Sequence, residues 1–377
     1  MTTTPTILMA GGGTGGHLYP GVAVAEAIRQ RTPEARIIFL CTQRDIDRVI
    51  LAPTGFEFIE QPIVPPVRTV MGLVRFWRGW RATKDLVRGV LKDRKPAVVL
   101  GLGGYAAGVA VKLAAKRGIP TAILNPDVIP GKANQYLMRY AQAVCCQFEA
   151  TKSRVASSHQ GKLKITGCPI RAQIVQGRDR PSAALRLGLD ASLRTLVITG
   201  ASQGAQTVNE GVLATLPQLR LQGWQVLHLA GRDHGPAVTQ AYRQQAIAGR
   251  VIDFTPDMGD VWAMADLTVS RAGASTCAEV AACGVPSIFM PYPFHKDLHQ
   301  RANAKVLADA GAAVLLDDQK EARKNAERLR PVLESLLHDA DKRSAMSRAA
   351  KALGRPDAAG AVADVIGVIS ARAGVVG

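Results

Sequence analysis

Residues 6–17 read TILMAGGGTGGH, an apolar run of strand length that leads directly into a glycine-rich loop. The same succession of apolar run, glycine loop and helix-length segment returns at residues 97–104 and 195–204. Glycine lets the backbone approach a ligand closely, and the N-terminus of the following helix offers free N–H groups and a partial positive charge. Tight strand-to-helix packing would explain any one loop, but three together favour contact with a phosphate or an anionic sugar.

Outward from these loops, short apolar runs alternate with helix-length segments along the chain, which is typical of a parallel sheet covered by helices on both faces. We predict strands at residues 6–9, 36–40, 97–100, 121–124, 143–146, 195–199, 225–229, 251–254, 267–270, 287–290 and 313–316. The polar stretch 173–192 separates two series. The sequence thus predicts an α/β protein of two doubly wound domains, residues 1–166 and 167–357, with a last helix at about 358–371 that could pack on either.

The 377 residues include 47 Lys and Arg against 30 Asp and Glu, and the net charge of +17 indicates an anionic partner such as nucleic acid, an acidic membrane or a phosphorylated substrate. Residues 1–165 hold 23 basic and 10 acidic side chains, net +13, while residues 166–377 hold 24 and 20, net +4.

The six cysteines form no C-x-x-C pair, which favours a reducing cytoplasm. No apolar stretch reaches the roughly 20 residues that span a bilayer, so we expect no membrane crossing.

Gly11, Gly13 and Gly16 also satisfy the G-x-G-x-x-G pattern of dinucleotide-binding folds. That pattern requires an acidic residue at the end of the second strand to hold the ribose hydroxyls. The second predicted strand ends Leu40-Cys41-Thr42-Gln43 without an acid, and no glycine loop continues into the Lys-Ser or Lys-Thr of a P-loop. A nicotinamide dehydrogenase is therefore disfavoured, and a P-loop nucleotidase is excluded.

The densest group of functional side chains lies at residues 270–300, SRAGASTCAEVAACGVPSIFMPYPFHKDLHQ. Small residues precede a helix whose first turn can present the N–H groups of Ala274, Ser275 and Thr276 to a diphosphate. Glu279 follows Thr276 by three residues. It is either a capping-box partner of Thr276 or a carboxylate that accepts the two vicinal hydroxyls of a ribose.

Five motifs, in order, resemble those of the MurG family of glycosyltransferases: Gly11-Gly-Gly-Thr-Gly-Gly-His17 with Pro20-Gly21, Gly103-Gly104-Tyr105, Gly200-Ala-Ser-Gln-Gly204-Ala205, Arg271-Ala-Gly-Ala-Ser-Thr276 with Glu279, and Asp297-Leu-His-Gln300 with Asn303-Ala304. The resemblance covers about residues 7–312. It implies a GT-B fold: two Rossmann-like domains facing across a cleft, with a final helix returning to the first. It also implies transfer of N-acetylglucosamine from UDP-N-acetylglucosamine to undecaprenyl-pyrophosphoryl-N-acetylmuramoyl-pentapeptide (lipid I), giving lipid II in peptidoglycan synthesis.

Carried over position by position, the resemblance assigns the diphosphate to Ala274, Ser275 and Thr276, the ribose to Glu279, the sugar to Gln300, the nucleotide to Ser202, Arg171 and Thr255, and an approach from the opposite domain to Thr14, Gly15 and Gly16. Backbone N–H groups and a helix dipole can neutralise a diphosphate, so we expect no metal cofactor. The H-x-D-x-H string formed by His295, Asp297 and His299 resembles a metal ligand set. On a loop or helix start, however, its side chains need not converge.

Inverting transfer requires that the acceptor hydroxyl lose its proton as it attacks the anomeric carbon. His17, directly after the first glycine loop, can be that base or can hold the acceptor's pyrophosphate. Where the family usually reads His-Glu-Gln-Asn, this chain has Leu124-Asn125-Pro126-Asp127, and Asp127 can itself be the base. The change leaves open two alternatives: a related transferase with another lipid acceptor, or a donor-binding relative that has lost acceptor chemistry.

Nine basic residues lie within residues 68–95, interleaved with apolar ones at helical spacing. A core-facing amphipathic helix and a membrane-docking helix use the same ingredients, with Trp77 and Trp80 entering the lipid interface in the second case. No known nucleic-acid reader motif accompanies the charge, so nucleic acid is disfavoured. We expect a peripheral protein on the cytoplasmic face of an anionic membrane, bound through about residues 68–95.

Overall fold

The computed structural model describes residues 5–65, 69–176, 179–200 and 204–374. The chain divides into two compact units, Met1–Arg171 with Asp357–Gly377, and Ala172–Pro356. The predicted boundary at Gly167 lies a few residues before this division, so residues 167–171 cluster with the first unit.

The first unit contains a seven-stranded parallel sheet with the order β3-β2-β1-β4-β5-β6-β7. The strands are β1 Thr6–Gly11, β2 Arg36–Thr42, β3 Glu57–Gln61, β4 Val98–Gly103, β5 Thr121–Asn125, β6 Ala143–Cys146 and β7 Leu163–Ile165. The helices are α1 Gly15–Arg31, α2 Asp45–Leu51, α3 Val70–Arg94, α4 Gly108–Lys116, α5 Lys132–Leu137, α6 Ser157–Gln160 and the last helix of the chain, α15 Ala358–Gly374.

Side chains of β1 alternate between two buried layers, because successive residues of a strand point to opposite faces of the sheet. Ile7 and Met9 pack in one layer with apolar residues of α1 and α15, and Leu8 and Ala10 pack in the other with residues of α3 and α4. Both faces of the central strands are therefore covered. The α15 helix contributes Val362, Ile366 and Ile369 to its layer.

The second unit contains a six-stranded parallel sheet with the order β10-β9-β8-β11-β12-β13. The strands are β8 Arg194–Thr199, β9 Trp224–Leu229, β10 Gly249–Ile252, β11 Ala265–Ser270, β12 Ser287–Phe289 and β13 Ala313–Leu315. The helices are α7 Arg180–Leu187, α8 Gln206–Thr215, α9 Gly235–Gln244, α10 Met258–Met264, α11 Ala274–Cys283, α12 His299–Asp309, α13 Ala322–His338 and α14 Ala340–Leu353.

The predicted pair of doubly wound parallel sheets is confirmed, and each of the eleven predicted strands overlaps a strand of the structure. The prediction missed β3 and β7, the two edge strands of the first sheet. Both carry charged or exposed residues, which is common at sheet edges because it discourages pairing with other chains.

The two halves of the α3 helix differ in how deeply their side chains are buried. Its second half buries Thr83, Val87 and Leu91 against the sheet, whereas Met71 and Trp77 in its first half are 64% and 60% exposed. Trp80 was predicted to enter a lipid interface beside Trp77, but its half-buried ring packs with the core layer that includes α4.

Among the described residues, no helix is long and apolar enough to cross a bilayer.

Candidate functional site

Each sheet reverses its strand order at one place, between β1 and β4 in the first unit and between β8 and β11 in the second. Open α/β sheets bind ligands beyond the carboxyl ends of the strands at such a reversal. The glycine loops after β1 and β4 both lie at the first reversal, and Gly273 follows β11 at the second. The two reversals are therefore the candidate site of each unit.

The first glycine loop is held by a buried carboxylate that the sequence did not single out. Both carboxylate oxygens of Asp47 accept the Gly13 N–H, at 2.7 and 2.9 Å, and Oδ2 also accepts the N–H and hydroxyl of Thr42. Arg44 donates to the carbonyl of Gly13 at 2.7 Å. A Cβ on Gly12 would lie 2.2 Å from Oδ2 of Asp47, so glycine is required there. Asp47 thus fixes the backbone of the loop.

His17 lies on the first turn of α1, next to the second glycine loop. Its Nδ1 is hydrogen-bonded to the Thr14 hydroxyl at 3.0 Å, and its ring packs against Gly103 and Gly104, where added Cβ atoms would lie 3.0 and 3.1 Å away. Burial lowers the pKa of His17, while the carboxylates of Asp127 and Asp47 oppose that shift. The imidazole is therefore neutral near pH 7, as a proton acceptor must be.

The loop at residues 124–127, where this chain differs from the usual family motif, lies near His17. The charge of Asp127 in this loop raises the pKa of the His17 imidazole. Asn125 donates from Nδ2 to the Asp127 carbonyl at 2.8 Å. Asn134, on α5, donates to the Leu124 carbonyl and to Oδ1 of Asn125. The structure thus brings the predicted pair, His17 and Asp127, to one place.

In the second unit, Ala274, Ser275 and Thr276 form the first turn of α11. The N-cap is Gly273, which has no side chain to cap the helix. Thr276 is the third helical residue rather than the N-cap, so the capping-box interpretation of Glu279 is wrong. Oε2 of Glu279 instead accepts the indole N–H of Trp262 at 2.8 Å, which orients the carboxylate.

Arg271, a buried arginine known from the sequence only as the first residue of a motif, connects the elements around the strand reversal of the second sheet. Nη1 of Arg271 donates to Asp318 at 2.7 Å and to the Met290 carbonyl at 2.8 Å, and Nη2 donates to the Thr207 hydroxyl. It thereby ties the end of β11 to α8 and to the segment after β12. Sequence spacing gave no signal for this network, because Asp318 is 47 residues away.

Gln300 is the second residue of α12. Its Oε1 accepts the N–H of Tyr292 at 3.0 Å, and one turn later Asn303 donates to the Ala272 carbonyl at 3.2 Å. The helix that carries Gln300 is thus anchored to the loop that precedes the first turn of α11.

The remaining predicted residues are distributed over both units. Thr14 is the N-cap of α1, followed by Gly15 and Gly16. The Arg171 guanidinium lies 4.3 Å from the centre of the Tyr19 ring in the first unit. Thr255 follows β10, and its hydroxyl accepts the Asp257 N–H. Ser202 lies outside the described residues.

Two family models cover most of the chain. Residues 7–146 match the glycosyltransferase family 28 N-terminal domain, and residues 195–362 match the glycosyltransferase family 28 C-terminal domain.

Two curated relatives carry the name UDP-N-acetylglucosamine–N-acetylmuramyl-(pentapeptide) pyrophosphoryl-undecaprenol N-acetylglucosamine transferase. The chain is 36% identical to one from Bacillus cytotoxicus, with 96% of this chain and 98% of the relative covered. It is 33% identical to one from Desulforamulus reducens, with 93% and 95% covered.

Among solved structures, the crystal structure of Acinetobacter baumannii MurG is 26% identical, with a TM-score of 0.75 and 96% of this chain and 99% of that one covered. A UDP-glucosyltransferase from Polygonum tinctorium is similar in fold alone, with a TM-score of 0.72 at 15% identity and coverage of 98% and 99%.

Proposed function

The chain belongs to glycosyltransferase family 28 and, within it, to the MurG group, and on that premise we propose that it transfers N-acetylglucosamine from UDP-N-acetylglucosamine to lipid I, giving lipid II. The observation that carries the proposal is that each unit holds matching groups at its own strand reversal: two glycine loops with His17 in the first unit, and the first turn of α11 behind the N-cap Gly273 in the second. The GT-B fold of the group supports the same conclusion.

The second unit suits the UDP part of the donor. The first-turn N–H groups of α11 and the helix dipole stabilise the diphosphate, most strongly as it leaves with additional negative charge. Glu279, oriented by Trp262, accepts the ribose hydroxyls. Gln300 keeps its amide N–H groups for sugar hydroxyls while Oε1 is held by Tyr292.

The first unit suits the acceptor. His17 takes the proton of the acceptor hydroxyl as that oxygen attacks the anomeric carbon, and the bond from the anomeric carbon to UDP breaks. The Asp127 carboxylate favours the imidazolium that forms, because its charge raises the pKa of His17. We assign the base to His17 and the supporting charge to Asp127.

We also propose that the protein docks on the cytoplasmic face of an anionic membrane through the first half of α3. Exposed apolar residues there, including Val70, Met71 and Trp77, alternate with the exposed cations Arg75 and Arg78. Such a surface combines apolar insertion with attraction to anionic lipid. A lipid-linked acceptor would be within the same membrane.

Incubation with labelled UDP-N-acetylglucosamine and lipid I tests the activity, and the expected product is labelled lipid II. Two outcomes would contradict the proposal. Transfer to another lipid pyrophosphate but not to lipid I would indicate a different acceptor, as the altered residues 124–127 allow. Binding of UDP without any transfer would indicate a donor-binding relative.

A further inference from the structure

The segment between β12 and α12 brings together three side chains that the sequence did not predict to converge. His295, Asp297 and His299 each offer one ligand atom, and these three atoms lie within 4.8 Å of one another. The sequence left their convergence open, and in the structure the three ligand atoms come together.

The backbone explains the convergence. The Leu298 N–H donates to the His295 carbonyl at 3.3 Å, which closes a turn, and Leu298 adopts a left-handed φ of 51° directly before α12 begins. This reversal places His295 beside His299, whose rings stack with centroids 4.6 Å apart. Nδ1 of His299 and Oδ1 of Asp297 are 2.7 Å apart.

We propose that His295, Asp297 and His299 form a binding site for a divalent transition metal of the Zn²⁺ class. Two imidazoles and one carboxylate are typical ligands of zinc and related ions, and three protein ligands leave a position for water. Mg²⁺ and Ca²⁺ prefer oxygen ligands and fit this set poorly.

The surroundings agree with this ligand set. His295 and Asp297 are exposed and His299 is half-buried, so an ion can enter from solvent and water can complete its coordination.

A bound ion would act on the proposed donor site of the second unit, a consequence that rests on the proposed function. The turn is bounded by Tyr292, whose ring lies 4.7 Å from that of His295, and by Gln300, which is bonded to the Tyr292 N–H. Fixing the turn pre-organises Gln300 and lowers the KM for UDP-N-acetylglucosamine several-fold. Because none of the three ligands is a group assigned to the proton transfer or to the leaving diphosphate, transfer should persist after chelation.

The test is equilibrium dialysis of the full chain, purified without a histidine tag, against Zn²⁺, with Co²⁺ absorption as a spectroscopic probe. Wild type is expected to bind one ion with high affinity. His295→Gln should weaken binding by about tenfold or more, and the change is on an exposed side chain. His338→Gln, at an exposed histidine that ends α13 in the same unit, is the matched control and should bind as wild type does.

Equal Zn²⁺ binding by wild type and His295→Gln, or no binding by wild type, would overturn the metal site. These measurements need no substrate, so they are independent of whether lipid II is formed. In the activity assay, Zn²⁺ should lower the donor KM of wild type but not of His295→Gln; a change in both variants would count against the site.

Discussion

At the scale of single residues, Asp47 is the group on which the first glycine loop depends. Asn in its place keeps one acceptor but turns an N–H₂ group toward the N–H donors of Gly13 and Thr42. We expect Asp47→Asn to lower the free energy of unfolding by about 2 kcal/mol, because buried hydrogen bonds to a charged group are lost. Urea unfolding measures this change.

The same variant should lower kcat/KM for transfer by about tenfold or more, because the loop that positions His17 loosens. Asp45→Asn is the matched control, since Asp45 is an exposed carboxylate on the same helix, α2. Equal effects of the two variants would show that Asp47 does not position the loop.

His17 gives the expected pH dependence. Burial places its pKa below the ordinary value of 6.5, so the free enzyme keeps a neutral base until the pH falls below 6.5, and kcat/KM then declines. Asp127→Asn removes a charge that raises the pKa of His17, so the acidic decline of kcat/KM should move to still lower pH.

His17→Ala should cut transfer at least about tenfold while UDP affinity stays nearly unchanged.

The pH profile of kcat/KM separates the two candidate bases. If Asp127 were the base, Asp127→Asn would abolish transfer instead of shifting the profile. Glu149→Gln, at an exposed acid in the same unit, serves as the control and should leave the profile in place.

The sequence could indicate His17 and the first turn of α11 because both follow local patterns, a glycine loop and a run of small residues before a helix. It could not indicate Asp47 or Arg271. Their partners, Gly13 and Asp318, are 34 and 47 residues away, and only the completed sheet brings them together.

At the scale of elements, α3 shows what periodicity can and cannot reveal. Helical spacing of apolar residues correctly predicted a helix, but the spacing is equally compatible with a core face and a lipid face. The structure separates the two along the helix, with Val87 and Leu91 in the core and Trp77 exposed at 60%. Periodicity also failed at the edge strand β3. This strand contains charged residues, so it does not form the apolar run by which the other strands were predicted.

Trp77 and Trp80 therefore form a matched pair for testing α3. Trp77→Ser should reduce partition onto anionic vesicles by about tenfold, the loss expected for one inserted aromatic side chain, without changing thermal stability. Trp80→Ser should lower the free energy of unfolding by about 2 kcal/mol, because its half-buried ring packs on the core layer. Vesicle flotation and thermal unfolding measure the two effects.

Undiminished flotation of Trp77→Ser would remove the docking surface from α3. Reduced stability of Trp77→Ser, equal to that of Trp80→Ser, would contradict the division of the helix into an exposed half and a packed half.

At the scale of the whole molecule, the charge of +17 is unevenly distributed, with +13 in residues 1–165 and +4 in residues 166–377. Attraction between exposed cations and anionic lipid amounts to about 1 kcal/mol per Lys or Arg near the surface, and it is screened within roughly 10 Å at 0.1 M salt. In the proposed binding mode, contacts of a diphosphate with the N–H groups of α11 would be short and would depend less on salt. The two binding events should therefore respond differently to ionic strength.

We expect flotation with anionic vesicles to weaken by about tenfold or more when NaCl is raised from about 0.05 to about 0.5 M, and flotation with neutral vesicles to be weak throughout. Calorimetric affinity for UDP should change much less over the same range. The net positive charge of +4 in residues 166–377 is too small to dominate donor binding. The larger net charge of residues 1–165 includes the exposed Arg75 and Arg78, which lie beside the apolar residues of α3. If the affinities for UDP and for anionic vesicles fell by the same factor as NaCl is raised, the overall positive charge of the protein would govern both binding events. The excess positive charge in residues 1–165 would then have no separate role at the membrane.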